Sequence, residues 1–208
     1  MKIAQYLLII LIPPVLILGN FRYLIFNADF YQKIQQKIGV YRSFDNHEIV
    51  DLATENLFGF FKGNNQLDFE FYSRQAQLHL FDVKQILYFT FGFFYILLVA
   101  VTTIILVMSV RRSKKNLASA FLISAIVTFL TILVLALGIL RSFDAFFLKF
   151  HQVAFTNDFW QFGPDDNLIK LFPIEFFVEF ANRLAVNIAL TSVVVTLVSV
   201  AVLKRLSR

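Results

Sequence analysis

Four long apolar runs, at residues 3–26, 86–110, 117–140 and 184–203, constrain the fold more than any other feature of the chain. A helix rising about 1.5 Å per residue needs about 20 residues to cross the hydrocarbon of a bilayer. All four runs meet that length, and Arg22 is the one charged residue within them. With 58% of its 208 residues apolar, the chain is too apolar for a soluble domain of its size. In lipid, backbone donors and acceptors must be satisfied internally, which only helices and closed barrels achieve. The expected fold class is therefore all-α: a four-transmembrane-helix bundle with small helical extracytoplasmic elements, built as a single integral-membrane domain over residues 1–208. Pro13-Pro14 interrupts the first run, and Thr102, Thr103, Thr128, Thr131 and Asn187 read as helix-packing groups.

Charge placement orients the chain. Lys2, Arg111, Arg112, Lys114, Lys115, Lys204, Arg205 and Arg208 occupy the two ends and the 111–116 turn, where no acid occurs. All 14 Asp and Glu fall within residues 27–85 and 141–183. Flanks rich in Lys and Arg stay cytoplasmic, so both termini and the turn are expected inside and the two longer segments outside. The net charge of +5 then reflects topology rather than a nucleic-acid surface. The first run has the charge and apolar stretch of a secretory signal without a small-x-small cleavage site, and is expected to be retained as a span. The absence of cysteine excludes disulfides, thiolate nucleophiles and sulfur-ligated metal.

Both outer segments keep helical periodicity. Phe30, Ile34 and Ile38 recur at spacing four, and Asp45 or Asn46 can cap a helix carrying Ile49, Leu52, Ala53 and Leu57 that ends near Gly63. From about Leu67 the pattern predicts one helix running into the second span. Phe143, Phe147, Phe150 and Ala154 are spaced to continue the third span outward, until FTNDFWQFGPDD breaks the helix. Pro173 suits the first turn of a helix entering the fourth span.

The chemistry-bearing residues cluster in SRQAQLHLFDVK, residues 73–84. Tyr72, Gln75, His79, Asp82 and Ile86 step by three and four, so they share one helix face. His79 lies about 10 Å before the apolar run, at headgroup or glycerol depth. Such residues can simply anchor a helix end at the interface. A polar stripe is nonetheless costly to turn toward lipid, which favours a cleft. An adjacent carboxylate would raise the basicity of His79 and fix its tautomer. His151, at matching depth with Asp144 and Phe147 or Leu148 on its face, makes an acid/base pair possible. His47, beside Glu48, reads as solvated surface. Arg22 can snorkel to the interface or donate to a lipid carbonyl or developing oxyanion. A zinc set of His79, Asp82, His151 and Asp158 has no HExxH or similar spacing behind it. No GxSxG supports a role for Ser43, Ser73 or Ser142 as nucleophile.

SRQAQLHLFDVK before one span, and FHQVAFTNDFWQFGPDDNLIKLFPIEFF before the last, resemble the bacterial lipoprotein intramolecular transacylase family of low-GC Gram-positive bacteria. The resemblance covers nearly the whole chain and is specific in residues 74–84 and 151–177. It implies a plasma-membrane acyltransferase that moves the sn-2 acyl chain of a diacylglyceryl-modified N-terminal cysteine onto its α-amino group, giving the lyso-form lipoprotein. It implies His79 and His151 as the catalytic pair, with Asp82 beside the first. Gln75 departs from the pattern, in which many relatives carry an acid after the arginine. Our expectation is His79 as general base, His151 as partner acid or base and Asp82 as orienting carboxylate. Arg22, Tyr72, Arg74, Gln75, Asn157, Asp158 and Trp160 are the substrate-contacting candidates. The partners implied are a diacylated lipoprotein and membrane lipid, with no nucleic acid, cofactor or metal. A non-enzymatic four-span scaffold and a zinc-dependent membrane hydrolase are the competing readings.

Overall fold

A computed structural model describes residues 2–207; Arg208, one of the expected cytoplasmic charges, and the side chain of Leu140, which ends the third run, lie outside the described residues. Among the described residues there are eight α-helices and no strand: α1 (Lys2–Ile25), α2 (Ala28–Lys37), α3 (His47–Lys62), α4 (Arg74–Val110), α5 (Lys114–Arg141), α6 (Phe143–Ala154), α7 (Asn167–Leu171) and α8 (Ile174–Leu206), with a 3-10 turn at Val40–Ser43. Helices α1, α4, α5 and α8 are long and apolar enough to cross a membrane. The chain forms two compact units. One comprises the residues up to Tyr23, Thr90–Leu140 and those from Arg183; the other comprises Leu24–Phe89 and Arg141–Asn182.

The first unit holds the apolar segments. Few residues of these segments are fully buried within the protein, between 11% and 22% in each, which hydrocarbon solvent allows. Leu8, Ile12, Val101, Met108 and Ala120 form its core. Close approach of α5 to α1 is helped by small residues: the Ser124 hydroxyl, fully buried, bonds the Ala120 carbonyl at 2.7 Å and the Leu8 carbonyl at 3.3 Å. Thr128 is fully buried and bonds back to the Ser124 carbonyl, the packing role expected of it. Pro13 and Pro14 do not interrupt α1, which runs through both. Each proline removes one backbone donor but has a helix-compatible φ, and membrane helices tolerate that loss.

The second unit is built around aromatic rings. Tyr31 sits at its centre, with ring centroids 4.7 Å from Phe58, 4.9 Å from Phe176 and 6.0 Å from Phe172. Val50, Leu57, Leu67, Phe71, Leu80 and Leu171 fill the remaining core. Gln35, 1% exposed, donates to the Thr54 hydroxyl at 3.1 Å, which in turn donates to the Val50 carbonyl, so a buried amide is kept partnered. Asn46 caps α3 and Gly63, at φ 80°, closes it, as the sequence suggested.

Two helix boundaries differ from expectation. The Asp68 carboxylate accepts from the backbone N–H groups of Glu70 and Phe71, bending the chain there. The helix therefore starts at Arg74 rather than near Leu67, with the Ser73 hydroxyl accepting from the Ala76 N–H. Likewise α5 does not continue outward, because Ser142 takes an extended φ of −162° and α6 starts afresh behind it.

Behind α3, the turn is pinned by Asn65, whose amide donates to the carbonyls of Asn56 and Gln66. A Cβ at Gly59 would fall 1.9 Å from the Asn65 Oδ1. Gly59→Ala is expected to expel Asn65 and cost about 1–3 kcal/mol, read as a lower unfolding temperature. An unchanged temperature would mean that the turn has room to repack.

Candidate active site

Helix α4 enters its apolar run at Ile86, and the turns before it carry the site. His79 and His151, one on α4 and one on α6, meet in the second unit with ring centroids 6.0 Å apart and planes inclined by 27°. Each is only 8% exposed. The pair that sequence alone placed on two helices is therefore brought together.

What surrounds them is almost wholly aromatic. Phe155 touches both imidazoles, at 4.9 Å from His79 and 5.5 Å from His151. Phe162 lies 5.5 Å from His79, while Phe147 and Trp160 lie 4.2 Å and 5.1 Å from His151. Phe147, Phe155 and Phe162 were not among the expected site residues. Phe147 was detectable, standing one turn before His151; the other two come from a loop whose path no periodicity reveals.

Hydrogen bonding fixes one ring and leaves the other open. The Nδ1 of His151 lies 2.8 Å from the Phe147 carbonyl. A carbonyl only accepts, so Nδ1 carries the proton and Nε2 presents a lone pair. Among the described residues the buried Nδ1 of His79 has no hydrogen-bond partner. That is an unusual cost for a buried polar atom and typical of sites that receive a polar ligand. Burial disfavours the charged form of both rings. It takes His79 from 6.5 down to about 4, with the neighbouring His151 adding to the drop and Asp82 opposing it. It lowers His151 as well, against the Phe147 hydrogen bond. Both imidazoles are thus neutral at pH 7.

The other expected residues fall into different places. The Asp82 carboxylate accepts from the Asn157 amide at 2.9 Å and makes no hydrogen bond to His79, because the 155–162 loop reaches across to it. Gln75 donates to the carbonyls of Gln161 at 2.8 Å and Phe159 at 3.3 Å. Asp158 accepts from the Gln161 amide at 2.9 Å and is exposed, and Arg74 is exposed at the start of α4. Tyr72 is a core residue, not a site residue. Its hydroxyl, 1% exposed, donates to the Ala53 carbonyl at 2.8 Å, and burial pushes its ionisation well above the usual range. Arg22 belongs to the first unit, where its Nε donates to the Tyr95 hydroxyl at 2.8 Å and its guanidinium lies 5.7 Å from the Phe91 and Tyr95 ring centres. His47 is exposed beside Tyr41, as anticipated. Among the described residues no three His, Asp or Glu side chains converge in a metal-ligating group.

Four helices apolar and long enough to cross a membrane, with no strand among the described residues, define an all-α integral-membrane protein. The chain belongs to the lipoprotein intramolecular transacylase Lit family, whose sequence profile matches residues 6–177, and is accordingly an acyl-transferring enzyme. Its fold is similar to that of the membrane-integral lipoprotein intramolecular transacylase Lit from Bacillus cereus, with a TM-score of 0.88 at 19% identity, covering 98% of this chain and 96% of that one. A form of that Bacillus cereus protein with one histidine replaced by arginine superposes with a TM-score of 0.83 at 19% identity, over 100% of this chain and 94% of the other. No curated protein matches the chain by sequence.

Proposed function

We propose that this enzyme transfers the sn-2 acyl chain of a diacylglyceryl-modified N-terminal cysteine to the α-amino group of the same cysteine, with His79 and His151 sharing the proton transfers. The observation that carries this reading is the pair of buried imidazoles 6.0 Å apart within an aromatic enclosure. In the bacterial plasma membrane, the Lys- and Arg-rich ends and 111–116 turn support cytoplasmic termini and a site facing outward.

The proton balance suits two neutral rings. The substrate ammonium must first lose one proton to become a nucleophile. Attack on the ester carbonyl then puts positive charge on that nitrogen, which loses a second proton as the C–N bond forms. The departing glyceryl oxygen takes up one proton as the C–O bond breaks, so one proton leaves for solvent overall. One imidazole accepts the first proton; the other carries the second from nitrogen to oxygen. The lone pair on His151 Nε2 faces no internal competitor for this task, since Nδ1 is held by Phe147. Amine and ester belong to one molecule, so holding them together replaces a collision, an effect that reaches about 7–11 kcal/mol in well-oriented systems.

The direct test expresses the protein in a host that makes only diacyl or triacyl lipoproteins and identifies the N-terminal lipopeptide by mass spectrometry. N-acyl, monoacylglyceryl cysteine is the expected product; its absence would overturn the assignment.

A pH dependence follows from burial. Both rings work as acceptors only when neutral, and both titrate below the ordinary imidazole value of 6.5. The acid limb of kcat/KM is expected below pH 6.5. Stability follows the same window. Between 6.5 and about 4 the unfolded chain binds a proton at position 79 that the folded chain refuses. The contribution is complete above 6.5 and is lost as pH falls toward 4. A limb centred above 7 would contradict the burial argument.

A further inference from the structure

We propose that Asp82 serves the reaction as a positioning residue, acting through Asn157 to latch residues 155–162 onto α4 so that Phe155 and Trp160 stay against the two imidazoles. The inference rests on the acyl-transfer reading above and deepens it.

The segment from Phe155 to Phe162 lies between α6 and α7. Besides the backbone bond from the Gln161 N–H to the Asp158 carbonyl at 3.1 Å, two successive side-chain clamps on α4 order it. At one end, Asn157 spends both halves of its amide: Nδ2 donates to Asp82 at 2.9 Å, and Oδ1 accepts from the Phe159 N–H at 3.1 Å. At the other, Gln75 donates to the carbonyls of Phe159 and Gln161. The Asp158–Gln161 hydrogen bond closes the loop internally. Positions 75, 79 and 82 share one face of α4, so His79 stands between the clamps. The strap then lays Phe155 and Phe162 against His79 and Trp160 against His151.

The carboxylate of Asp82 is committed to this latch. His79 Nδ1, on the same helix face, lacks the partner that an orienting carboxylate would supply. An ionised acceptor makes the stronger bond to the Asn157 amide, yet a neutral amide oxygen at position 82 can still receive it. This separates the latch from a role for the charge itself.

Trp160 is the single tryptophan of the chain, so intrinsic fluorescence reports the strap directly. The experiment uses the full-length protein in detergent and compares D82A, N157A, their double variant, D82N and the swap D82N/N157D. It reads product formation on a diacylated lipoprotein by mass spectrometry, together with the Trp160 emission. D82A and N157A are each expected to slow transfer about tenfold or more and to shift emission to the red, with the double variant no worse than either single. D82N and the swap, which preserve one donor facing one acceptor, are expected to stay within about threefold of the parent and to keep its emission. If D82A fails to fold, D82N and the swap still decide between latch and charge. D82N as slow as D82A with unshifted emission, or D82A unchanged in both readouts, would overturn the latch. A parent protein that forms no product would instead overturn the transacylase reading, while the emission series would still test the strap.

Discussion

Alanine at His79 or His151 is expected to slow formation of N-acyl, monoacylglyceryl cysteine by about 10²–10⁴-fold, the usual reach of a positioned acid or base. The two losses should not add, because the imidazoles act within one sequence of proton transfers. Each alanine also removes a ring from an aromatic enclosure, so a second variant is needed to separate chemistry from packing. H151Q fills much of the same space with a polar amide, but it cannot take up a proton. It is expected to be as slow as H151A while melting at the temperature of the parent. An H151Q enzyme retaining most of its activity would remove His151 from the reaction and leave it a packing role.

The largest stability effect is expected away from the reaction, at Tyr31. Its ring is 7% exposed and has aromatic neighbours from α3 and α8, among them Phe58 and Phe176 at less than 5 Å, with Phe172 behind them. Tyr31→Ala would open a cavity that stiff rings cannot collapse into, at a cost of about 3–5 kcal/mol. Tyr31→Phe keeps the ring and should cost less than about 1.5 kcal/mol. Thermal unfolding of the three proteins in one detergent measures this difference. A loss below about 1 kcal/mol for the alanine variant would show that the second unit does not depend on this cluster.

The membrane helices were legible because lipid imposes a length and a composition that no other environment asks for. Their ends were less so, since each is decided by a single side chain. Asp68 bends the backbone and Ser73 caps α4, whereas an apolar pattern from Leu67 alone reads as continuous helix. Ser142 parts α5 from the phenylalanine-rich α6, although the apolar spacing reads as helical across both. At the site, periodicity put His79 and Asp82 on one face but could not show that Asn157 would cross the gap and claim the carboxylate. Tyr72 belonged to the same stripe by spacing, and yet its hydroxyl is drawn to a carbonyl 19 residues earlier. Arg22 likewise has its partner 73 residues away, on another helix. Matching depth on two helices made a His79–His151 pair possible, and the family resemblance added a second reason to pair them.

In the bond from His151 to the Phe147 carbonyl, the atom that selects the protonated nitrogen belongs to the main chain, one turn back along α6, so no side-chain replacement at position 147 deletes it. The donor and acceptor ends of the ring are inherited from the helix rather than from a neighbouring residue's identity. The side chain at 147 is left free to vary in size and shape against His151 and Phe177 without changing which nitrogen of the ring carries its proton.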